Sequence, residues 1–324
     1  MPTGVLVPND EPDVAAFAER AESLGYDSVW ANELWTRDAF VALTRAAGAT
    51  DDIRLGTAIV NVYARSPATL AQAAATLDRA AGGRAVLGLG TSTRKTVEDL
   101  HGLAFERPAR RLHETTELVT EFLRGTGRVS YEGELFEVSD FPALGADVPV
   151  YAAALGPANR RATGRTADGW LPHNIPFGAL EETFETIAET ARERDREPAE
   201  IAVAPYIPAA VSDDPEQARA AIRGHVAYYV GSGAGYRRAV AAEFSAAEEI
   251  AAAWQSGDRE AAREQVTDEM VTELGVAGRP TEAREQLREI AEIPVVDEPL
   301  VVVPNGTPQA MKEQTVRALA PESA

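Results

Sequence analysis

The sequence predicts an α/β fold: a parallel (β/α)8 TIM barrel with a small hairpin and a helical insertion before the last strand. Short apolar runs alternate with amphipathic stretches from one end of the chain to the other, as in parallel strands joined by helices. Eight such runs are present with about eight helical stretches, which is the number that closes a barrel. An open doubly wound sheet is the competing architecture, but no glycine fingerprint follows an early strand.

The predicted strands are short and apolar, and some are apolar at every position, as expected where helices cover both faces of a sheet. In chain order they are Thr3–Val7, Ser28–Ala31, Arg54–Val60, Ala85–Gly88, Val148–Ala152, Gly169–Leu171, Ile201–Ala204 and Leu300–Val303.

The stretches between the strands show helical spacing. Apolar residues recur every three or four positions over residues 14–24, and Gly25 follows as a C-cap. The same spacing covers residues 70–81, where Ser66 is the predicted N-cap and Pro67 the first helical residue.

Two segments depart from this repeat. Residues 125–138 carry turn signals and a strand-like alternation, which predicts a small hairpin. Residues 232–278 are rich in Ala and Glu and are predicted to form an insertion of two helices before the last strand. Such additions usually lie over the barrel mouth or at a subunit contact. Because no linker divides the chain, residues 1–324 are predicted to form a single domain.

Composition limits the possible partners. The chain has 31 basic and 51 acidic residues, a formal net charge of −20, and its only lysines are Lys95 and Lys312. A strongly negative field repels nucleic acid and anionic membranes, so neither is an expected partner. The same composition favours adaptation to high salt over an ordinary acidic protein.

Two absences from the sequence exclude further classes. Without cysteine, disulfides, thiolate catalysis and sulfur-ligated zinc are excluded. The sequence shows neither a secretory signal nor an apolar run of the ~20 residues that span a bilayer, so a soluble cytoplasmic protein is expected.

The loops that follow the strands build the active site of a barrel. Two of them, residues 88–95 and 152–158, are rich in small residues, which let backbone N–H groups approach a planar or phosphorylated ligand. Gly156–Pro157 begins the next helix, whose positive dipole end points at the same mouth. The pairs Arg94–Lys95 and Arg160–Arg161 follow these loops, either as a patch for an anionic ligand or as ordinary surface charge.

Other motifs of catalysis are absent or incomplete. Thr93 stands where the dinucleotide fingerprint needs its third glycine, and neither a phosphate loop nor a GxSxG run is present. The four histidines show no metal-ligand spacing, so no metal site is predicted. His173 follows a strand end and is a candidate substrate contact.

Residues 54–94, with the runs RLGTAIVNVYARSPATL and VLGLGTS, closely resemble the luciferase-like superfamily. Within it, the chain looks most like the coenzyme F420-dependent branch that includes methylenetetrahydromethanopterin reductase. The resemblance continues through residues 149–157, 166–170 and 276–283, and so covers nearly the whole chain.

The resemblance implies a deazaflavin site at the barrel mouth. A non-prolyl cis peptide between Ala58 and Ile59 would support the ring from behind, and the small-residue loops would meet its phosphate side. The cofactor-binding residues it implies are Ala58, Ile59, Asn61, Gly90, Thr91, Ser92, Ala153, Ala154, Leu155 and Gly156. Relatives associate through barrel helices, so a homo-oligomer, a dimer or a tetramer, is also expected.

The sequence departs from the family pattern in two places. Many relatives have AspHis after the second strand, where this chain has Asn32–Glu33. Asn32 is a candidate hydrogen-bonding residue and Glu33 a candidate acid or base, because hydride transfer to C=N or C=O usually needs proton management. The alternative for Glu33 is a salt-bridged structural glutamate. In the first strand, residues 5–8 read VLVP where the reductases resemble EFVP, so a carboxylate is missing.

These features together predict an oxidoreductase that transfers a hydride between a bound deazaflavin and a small organic substrate, of C=N or methylene-pterin type. The substrate is expected near Trp35, Tyr63 and His173. An FMN-dependent monooxygenase of the same superfamily and a non-catalytic barrel that binds a flavin or deazaflavin are the alternatives.

Overall fold

The computed structural model describes residues 2–321, whose main feature is a curled parallel β-sheet surrounded by helices. The strands are β1 (Gly4–Leu6), β2 (Ser28–Ala31), β3 (Arg54–Thr57), β4 (Val60–Asn61), β5 (Ala85–Gly90), β6 (Arg128–Glu132), β7 (Glu137–Pro142), β8 (Val150–Ala153), β9 (Gly169–Trp170), β10 (Ala202–Val203), β11 (Tyr206–Val211), β12 (Val276–Gly278) and β13 (Leu300–Val302). The α-helices are α1 (Val14–Ser23), α2 (Ala39–Ala47), α3 (Pro67–Ala80), α4 (Pro108–Arg124), α5 (Pro157–Thr166), α6 (Leu180–Arg192), α7 (Pro215–Ser232), α8 (Ala234–Ala241), α9 (Ala246–Gln255), α10 (Arg259–Glu264), α11 (Asp268–Leu274), α12 (Pro280–Ala291) and α13 (Gln309–Ala318).

Neighbouring strands follow the order β10-β9-β8-β5-β3-β2-β1-β13-β11-β12, and β4 pairs with β5. The chain itself joins β10, at one end of this order, to β11, next to the other end, because only Ala204 and Pro205 separate the two strands. β10 pairs with β9, while β11 pairs with β13, and both pairings are parallel. The predicted α/β class with a parallel sheet is therefore confirmed, and the sheet curls as a barrel requires.

The strands differ from the prediction in two ways. The third predicted strand is divided into β3 and β4 at the Ala58–Ile59 bond, which is cis. The sequence does not predict β11 and β12. β11 contains Pro208, a residue that pattern reading treats as a strand breaker, and β12 has only three residues. Pro208 is tolerated because its strand still pairs through the neighbouring main-chain groups.

The predicted start of α3 is confirmed, since Ser66 Oγ accepts the Thr69 N–H at 3.3 Å and Pro67 is the first helical residue. The hairpin is also confirmed as β6 and β7, although it extends to Pro142. The prediction of two helices in the insertion is wrong. Residues 232–278 hold the four short helices α8–α11 together with β12, because several turns interrupt the Ala- and Glu-rich pattern.

The strands place alternate side chains inside and outside the curl. Leu6 and Trp30 lie inside it, whereas Val5 and Val29 join the core beneath the helices. Trp30 is fully buried there because Gly56 leaves it room: a Cβ at that position would lie 2.1 Å from the indole. This inner cluster fills the floor of the curl and leaves the carboxyl ends of the strands for the site.

Candidate functional site

A cavity of about 130 Å³ opens at the carboxyl ends of the strands. The sequence-predicted site residues that line it are Asn32, Trp35, Ala58, Ile59, Ser92, Ala153 and His173. Lys95 of the predicted cation pair also lines it. The residues that line it without having been predicted are Leu6, Leu34, Thr93, Thr96, Leu171, Tyr206, Tyr228, Tyr229, Ser232, Tyr236 and Val302. The structure thus brings together residues from loops that are far apart in the sequence, where barrel enzymes hold their active sites.

The Ala58–Ile59 segment forms one wall of this cavity. Its backbone is tied to the neighbouring strand: the Ala58 N–H donates to Ala31 O at 2.9 Å, and the Glu33 N–H donates to Ile59 O at 3.2 Å. A Cβ at Gly90 would lie 2.9 Å from Ile59 Cγ1, so the glycine leaves room for the isoleucine side chain. The segment is therefore held as a fixed surface between β2 and β5.

The two residues after β2 have different surroundings. Asn32 lines the cavity, and its Oδ1 is buried without a hydrogen-bond partner. The Glu33 carboxylate instead accepts two hydrogen bonds from Arg65, at 2.5 and 2.9 Å, and one from the Ala39 N–H at 3.1 Å. These hydrogen bonds raise the pKa of Arg65. The acid–base role of Glu33 stays a prediction, and the ion pair favours the structural alternative.

The first small-residue loop lines the cavity with Ser92, Thr93 and Lys95, and the second lines it with Ala153. Ser92 lines it with a φ of 55°, while Thr91 donates from its hydroxyl to Ser92 O at 3.3 Å. In the other loop Ala153 lines the cavity, whereas Ala154 is buried and its carbonyl accepts the Trp170 indole N–H at 2.8 Å. Each loop therefore presents a small side chain to a ligand.

The start of α5 is open to a ligand. No side chain caps the helix at Gly156, and a Cβ at Gly156 would have no atom within 4 Å. Leu155 before it is half-buried and packs near Gly235 of α8. Uncapped amides at a helix start suit an anionic group.

The predicted cation pair beside the first loop is already neutralised. Arg94 binds Glu98 at 2.5 Å and Lys95 binds Asp99 at 2.6 Å, each four residues further along the chain. Both pairs are exposed, so each contributes little to stability. Their cations are thus available for exchange with another anion at small cost.

Asn61 and Tyr63 do not line the cavity. They fix the loop that follows the bulge, the Ala58–Ile59 segment where β3 and β4 divide. Asn61 is fully buried; its Nδ2 lies 3.0 Å from His101 Nε2, and its Oδ1 accepts the Tyr63 N–H at 3.0 Å. The Tyr63 ring stacks on Phe105 at 5.4 Å, and its hydroxyl donates to Glu106 O. The Tyr63 ring therefore packs away from the cavity. Its contact with a substrate stays a prediction.

An aromatic cluster forms the wall around His173. Its ring centroid lies 5.0 Å from Tyr206, 4.4 Å from Tyr229 and 5.4 Å from Tyr236. His173 Nε2 lies 3.1 Å from His225 Nε2. Burial lowers the pKa of His225 to about 3 and that of His173 well below its usual value, and it raises the pKa of Tyr236 to about 12. The wall is therefore neutral at ordinary pH.

The sequence does not predict most residues of this wall, because they lie on α7 and α8 and not in the loops that follow the strands. Tyr228 and Tyr229 lie on α7, and Tyr236 lies on α8, the first helix of the insertion. The start of the insertion therefore lies over the barrel mouth, one of its two expected positions. Tyr228 is 41% exposed and Trp35 is 51% exposed, both at the rim. The run HVAYY at 225–229 was the available signal, because it places aromatic rings three and four residues apart on one helix face.

Residues 2–321 contain neither a cluster of metal-binding side chains nor a membrane-spanning helix. No group of three or more His, Asp or Glu side chains there is arranged to hold a metal ion. No helix in the same range is long and apolar enough to cross a membrane.

Comparison with known proteins extends over nearly the whole chain. A sequence model of the luciferase-like monooxygenase family matches residues 3–297. The chain is 30% identical over 323 residues to 5,10-methylenetetrahydromethanopterin reductase of Methanolobus tindarius, which covers 98% of this chain and 97% of that one. It is 37% identical over 175 residues to the F420-dependent glucose-6-phosphate dehydrogenase of Kineococcus radiotolerans, about half of each chain.

A solved structure agrees with these sequence matches. The coenzyme F420-dependent tetrahydromethanopterin reductase of Methanopyrus kandleri superposes with a TM-score of 0.82 at 29% identity, over 98% of this chain and 97% of that one. Both the reductase and the glucose-6-phosphate dehydrogenase are named as F420-dependent, although their substrates differ.

Proposed function

Because the chain belongs to the luciferase-like monooxygenase family, we propose that it is a coenzyme F420-dependent oxidoreductase. It transfers a hydride between the deazaflavin and a small organic substrate of the C=N type, the class that includes methylene-pterins. The observation that carries the proposal is the Ala58–Ile59 wall at the base of a cavity that also receives both small-residue loops. The solved reductase that is named for this cofactor matches 98% of the chain.

The residues present fit a planar, anionic cofactor. Ala58 and Ile59 offer a flat apolar surface, and the buried, unpartnered Oδ1 of Asn32 offers an acceptor to the polar edge of a ring. Ser92 and the uncapped start of α5 at Gly156 offer donors to a phosphate-bearing chain.

The other predicted cofactor residues act behind this first layer in the proposal. Gly90 leaves room for Ile59, and Asn61 fixes the turn after the bulge. Ala154 anchors its loop through Trp170. Thr91 adjoins Ser92, and Leu155 adjoins Gly156.

The bound deazaflavin supplies the hydride chemistry. The chain supplies orientation: a substrate placed over the Ala58–Ile59 wall is enclosed by Trp35 and the tyrosines of α7 and α8. Because the aromatic wall around His173 is neutral, it favours an uncharged planar substrate, or a cation held by ring faces, over an anion. The closed wall also keeps water from the reacting atoms.

A binding titration tests the cofactor. Apoprotein is titrated with the deazaflavin and with FMN, and absorbance and fluorescence are followed. We expect tight deazaflavin binding and weak FMN binding. Preference for FMN would favour the monooxygenase alternative, and binding of neither would refute the proposal. Turnover of imine, enone or pterin substrates by the deazaflavin complex distinguishes an enzyme from a non-catalytic binding barrel.

A matched pair of variants locates the cofactor. Ala153→Leu fills the cavity and is expected to weaken deazaflavin binding at least about tenfold, which is ~1.4 kcal/mol. Ala16→Leu makes the same change on an exposed face of α1 and is expected to leave the affinity unchanged. Equal affinities for both variants would move the cofactor away from this cavity.

The finer architecture belongs to the same proposal. Residues 202–211 occupy one strand position that closes an eight-position barrel, and residues 1–324 form one domain. The protein assembles as a dimer or tetramer through barrel helices, which light scattering after size exclusion tests. A monomer at micromolar concentration would contradict that assembly.

A further inference from the structure

A hydrogen-bonded pair of buried histidines lies at the edge of the substrate cavity. His173 follows β9 and lines that cavity, while His225 lies on α7, and their Nε2 atoms are 3.1 Å apart. One ring therefore donates from Nε2 and the other accepts there. No hydrogen bond within the described part of the chain reaches the Nδ1 of either ring, so each ring keeps one nitrogen free on its far side.

His225 also lines a second, smaller cavity behind the pair. That cavity holds about 20 Å³, which is room for one water molecule. The amide oxygens of Asn9 and Asn32 border it, and both are buried without a hydrogen-bond partner. Asn305, which is exposed, lies at its outer side. The histidine pair is thus a polar connection between a pocket with room for one water molecule and the substrate cavity, and Asn32 and Tyr229 line both cavities.

The surroundings keep this pair uncharged. The titratable side chains packed around it are Tyr206 on β11, Tyr229 on α7 and Tyr236 on α8, and no carboxylate or cation of residues 2–321 is in ring contact with it. Burial lowers the pKa of both histidines and raises the pKa of each tyrosine. Two neutral rings joined in this way can pass a proton by changing tautomer, without storing an imidazolium.

We propose that His173 and His225 form a proton relay from the small cavity to the substrate. The inference rests on the function proposed above and assigns the route of its proton. His173 touches the substrate, and His225 is a positioning residue that acts through it.

The step balances as follows for a neutral C=O or C=N substrate and a reduced deazaflavin. The C–H bond at the deazaflavin C5 breaks with its electron pair, and a C–H bond forms on the substrate carbon. The π electrons move to the substrate oxygen or nitrogen, which takes the proton from His173 Nδ1. His173 Nε2 takes the proton from His225 Nε2, and His225 Nδ1 takes one from water in the small cavity. The ring proton lost when the deazaflavin is oxidised balances the proton taken up.

Nitrogen NMR of the full-length protein tests the pair without any turnover. In protein labelled at histidine nitrogen, we expect both rings to stay neutral from pH 6 to 9, with a scalar coupling between the two Nε2 atoms. The signals are assigned by their loss in His173→Gln and His225→Gln. An imidazolium shift for either ring near neutrality, or two uncoupled rings, would overturn the relay.

Two probes then separate a relay from a structural role. 2-Cyclohexen-1-one needs a proton when it takes a hydride, whereas the N-methyl-3,4-dihydroisoquinolinium cation does not. With reduced deazaflavin in single turnover, His225→Gln is expected to slow the neutral probe about 100-fold, the range of general acid–base effects. The same variant is expected to leave the cation within about twofold of wild type. A solvent deuterium isotope effect on the neutral probe should shrink in the variant.

His113→Gln is the matched control, since His113 lies on α4 and lines neither cavity. Equal slowing of both probes by His225→Gln would show a structural role and overturn the relay, as would no slowing of either. If the wild-type protein binds no deazaflavin and reduces neither probe, the proposed function fails and the relay that rests on it fails too, even where NMR shows a neutral, coupled pair. If the protein reduces both probes but NMR shows a charged or uncoupled pair, the relay alone fails.

Discussion

Replacement of Glu33 by Ala separates the two roles that the sequence leaves open for this residue. Its carboxylate is buried, with 8% of the side chain exposed, and Arg65 beside it is 18% exposed. Arg65 also binds Asp38 at 2.6 Å, and the same Glu33 carboxylate accepts the Ala39 N–H at the start of α2. If Glu33 is structural, its removal leaves a partly buried cation and an unpaired amide.

The size of the effect follows from these contacts. Breaking a buried ion pair by removing one partner costs about 3–5 kcal/mol. Asp38 still neutralises Arg65, so the lower end applies, and we expect about 3 kcal/mol from Glu33→Ala, the lost Ala39 hydrogen bond included. In a chain of this size that is a fall in Tm of roughly 4 °C. Glu33→Gln keeps an acceptor for the amide and should cost about half as much.

Urea unfolding followed by circular dichroism, at one fixed salt concentration, measures the loss. Glu185→Ala is the control, because the Glu185–Arg192 pair at 2.8 Å is exposed on both sides and should change stability by less than about 0.5 kcal/mol. Deazaflavin affinity of Glu33→Gln should stay near the wild-type value. An unchanged unfolding midpoint together with a turnover loss of a hundredfold or more would refute the structural reasoning and establish Glu33 as the acid or base.

Three further changes test other parts of the structure. A Cβ at Gly88 would lie 2.0 Å from Thr57 O, so Gly88→Ala should lower the free energy of unfolding by more than 2 kcal/mol in urea, while Gly156→Ala, which has free space, should change it little. Because the folded pKa of His225 is about 3, below the unfolded value of about 6.5, the unfolded state binds more protons below pH 6.5. Stability should therefore fall toward pH 3 by about 1.4 kcal/mol per pH unit for this residue, and His225→Gln should flatten that slope; an unaltered slope would contradict the burial. Deazaflavin binding should quench the emission of Trp35 at the cavity rim, and Trp35→Phe should remove most of the quenching if the ring binds there.

Much of the fold follows from local patterns. Ser66 and Pro67 define the start of α3 by themselves, because the hydroxyl cap and the fixed φ of proline act within one turn. The fully apolar run at Leu300–Val302 likewise predicts a strand covered on both faces. β11 is missed since Pro205 and Pro208 interrupt its pattern, and only the pairing with β13, almost a hundred residues later, shows that the segment is a strand.

The site is predicted in part, and the division has a physical reason. The bulge and the small loops belong to a run of sequence that resembles relatives; Ala58, Ile59 and Ser92 line the cavity, and their roles toward a cofactor stay predictions. The partner of His173 lies 52 residues away on another helix, and no local pattern specifies that two histidines separated in this way will share a hydrogen bond. Glu33 is ambiguous for the same reason, because its partner Arg65 is 32 residues distant.

The charge distribution connects the acidic surface with the neutral cavity. A protein of net charge −20 repels an anionic cofactor at long range, and only one charged residue, Lys95, lines the cavity in the described part of the chain. Its pairing with Asp99 is exposed and therefore weak, so a phosphate can replace the carboxylate at little cost. Salt limits the range of this repulsion to between about 3 and 10 Å. The uncapped amides of α5 and the apolar bulge act only at contact. Raised salt should consequently favour the approach of the cofactor without weakening the contacts that hold it, which gives an acidic surface and a neutral site a common physical basis.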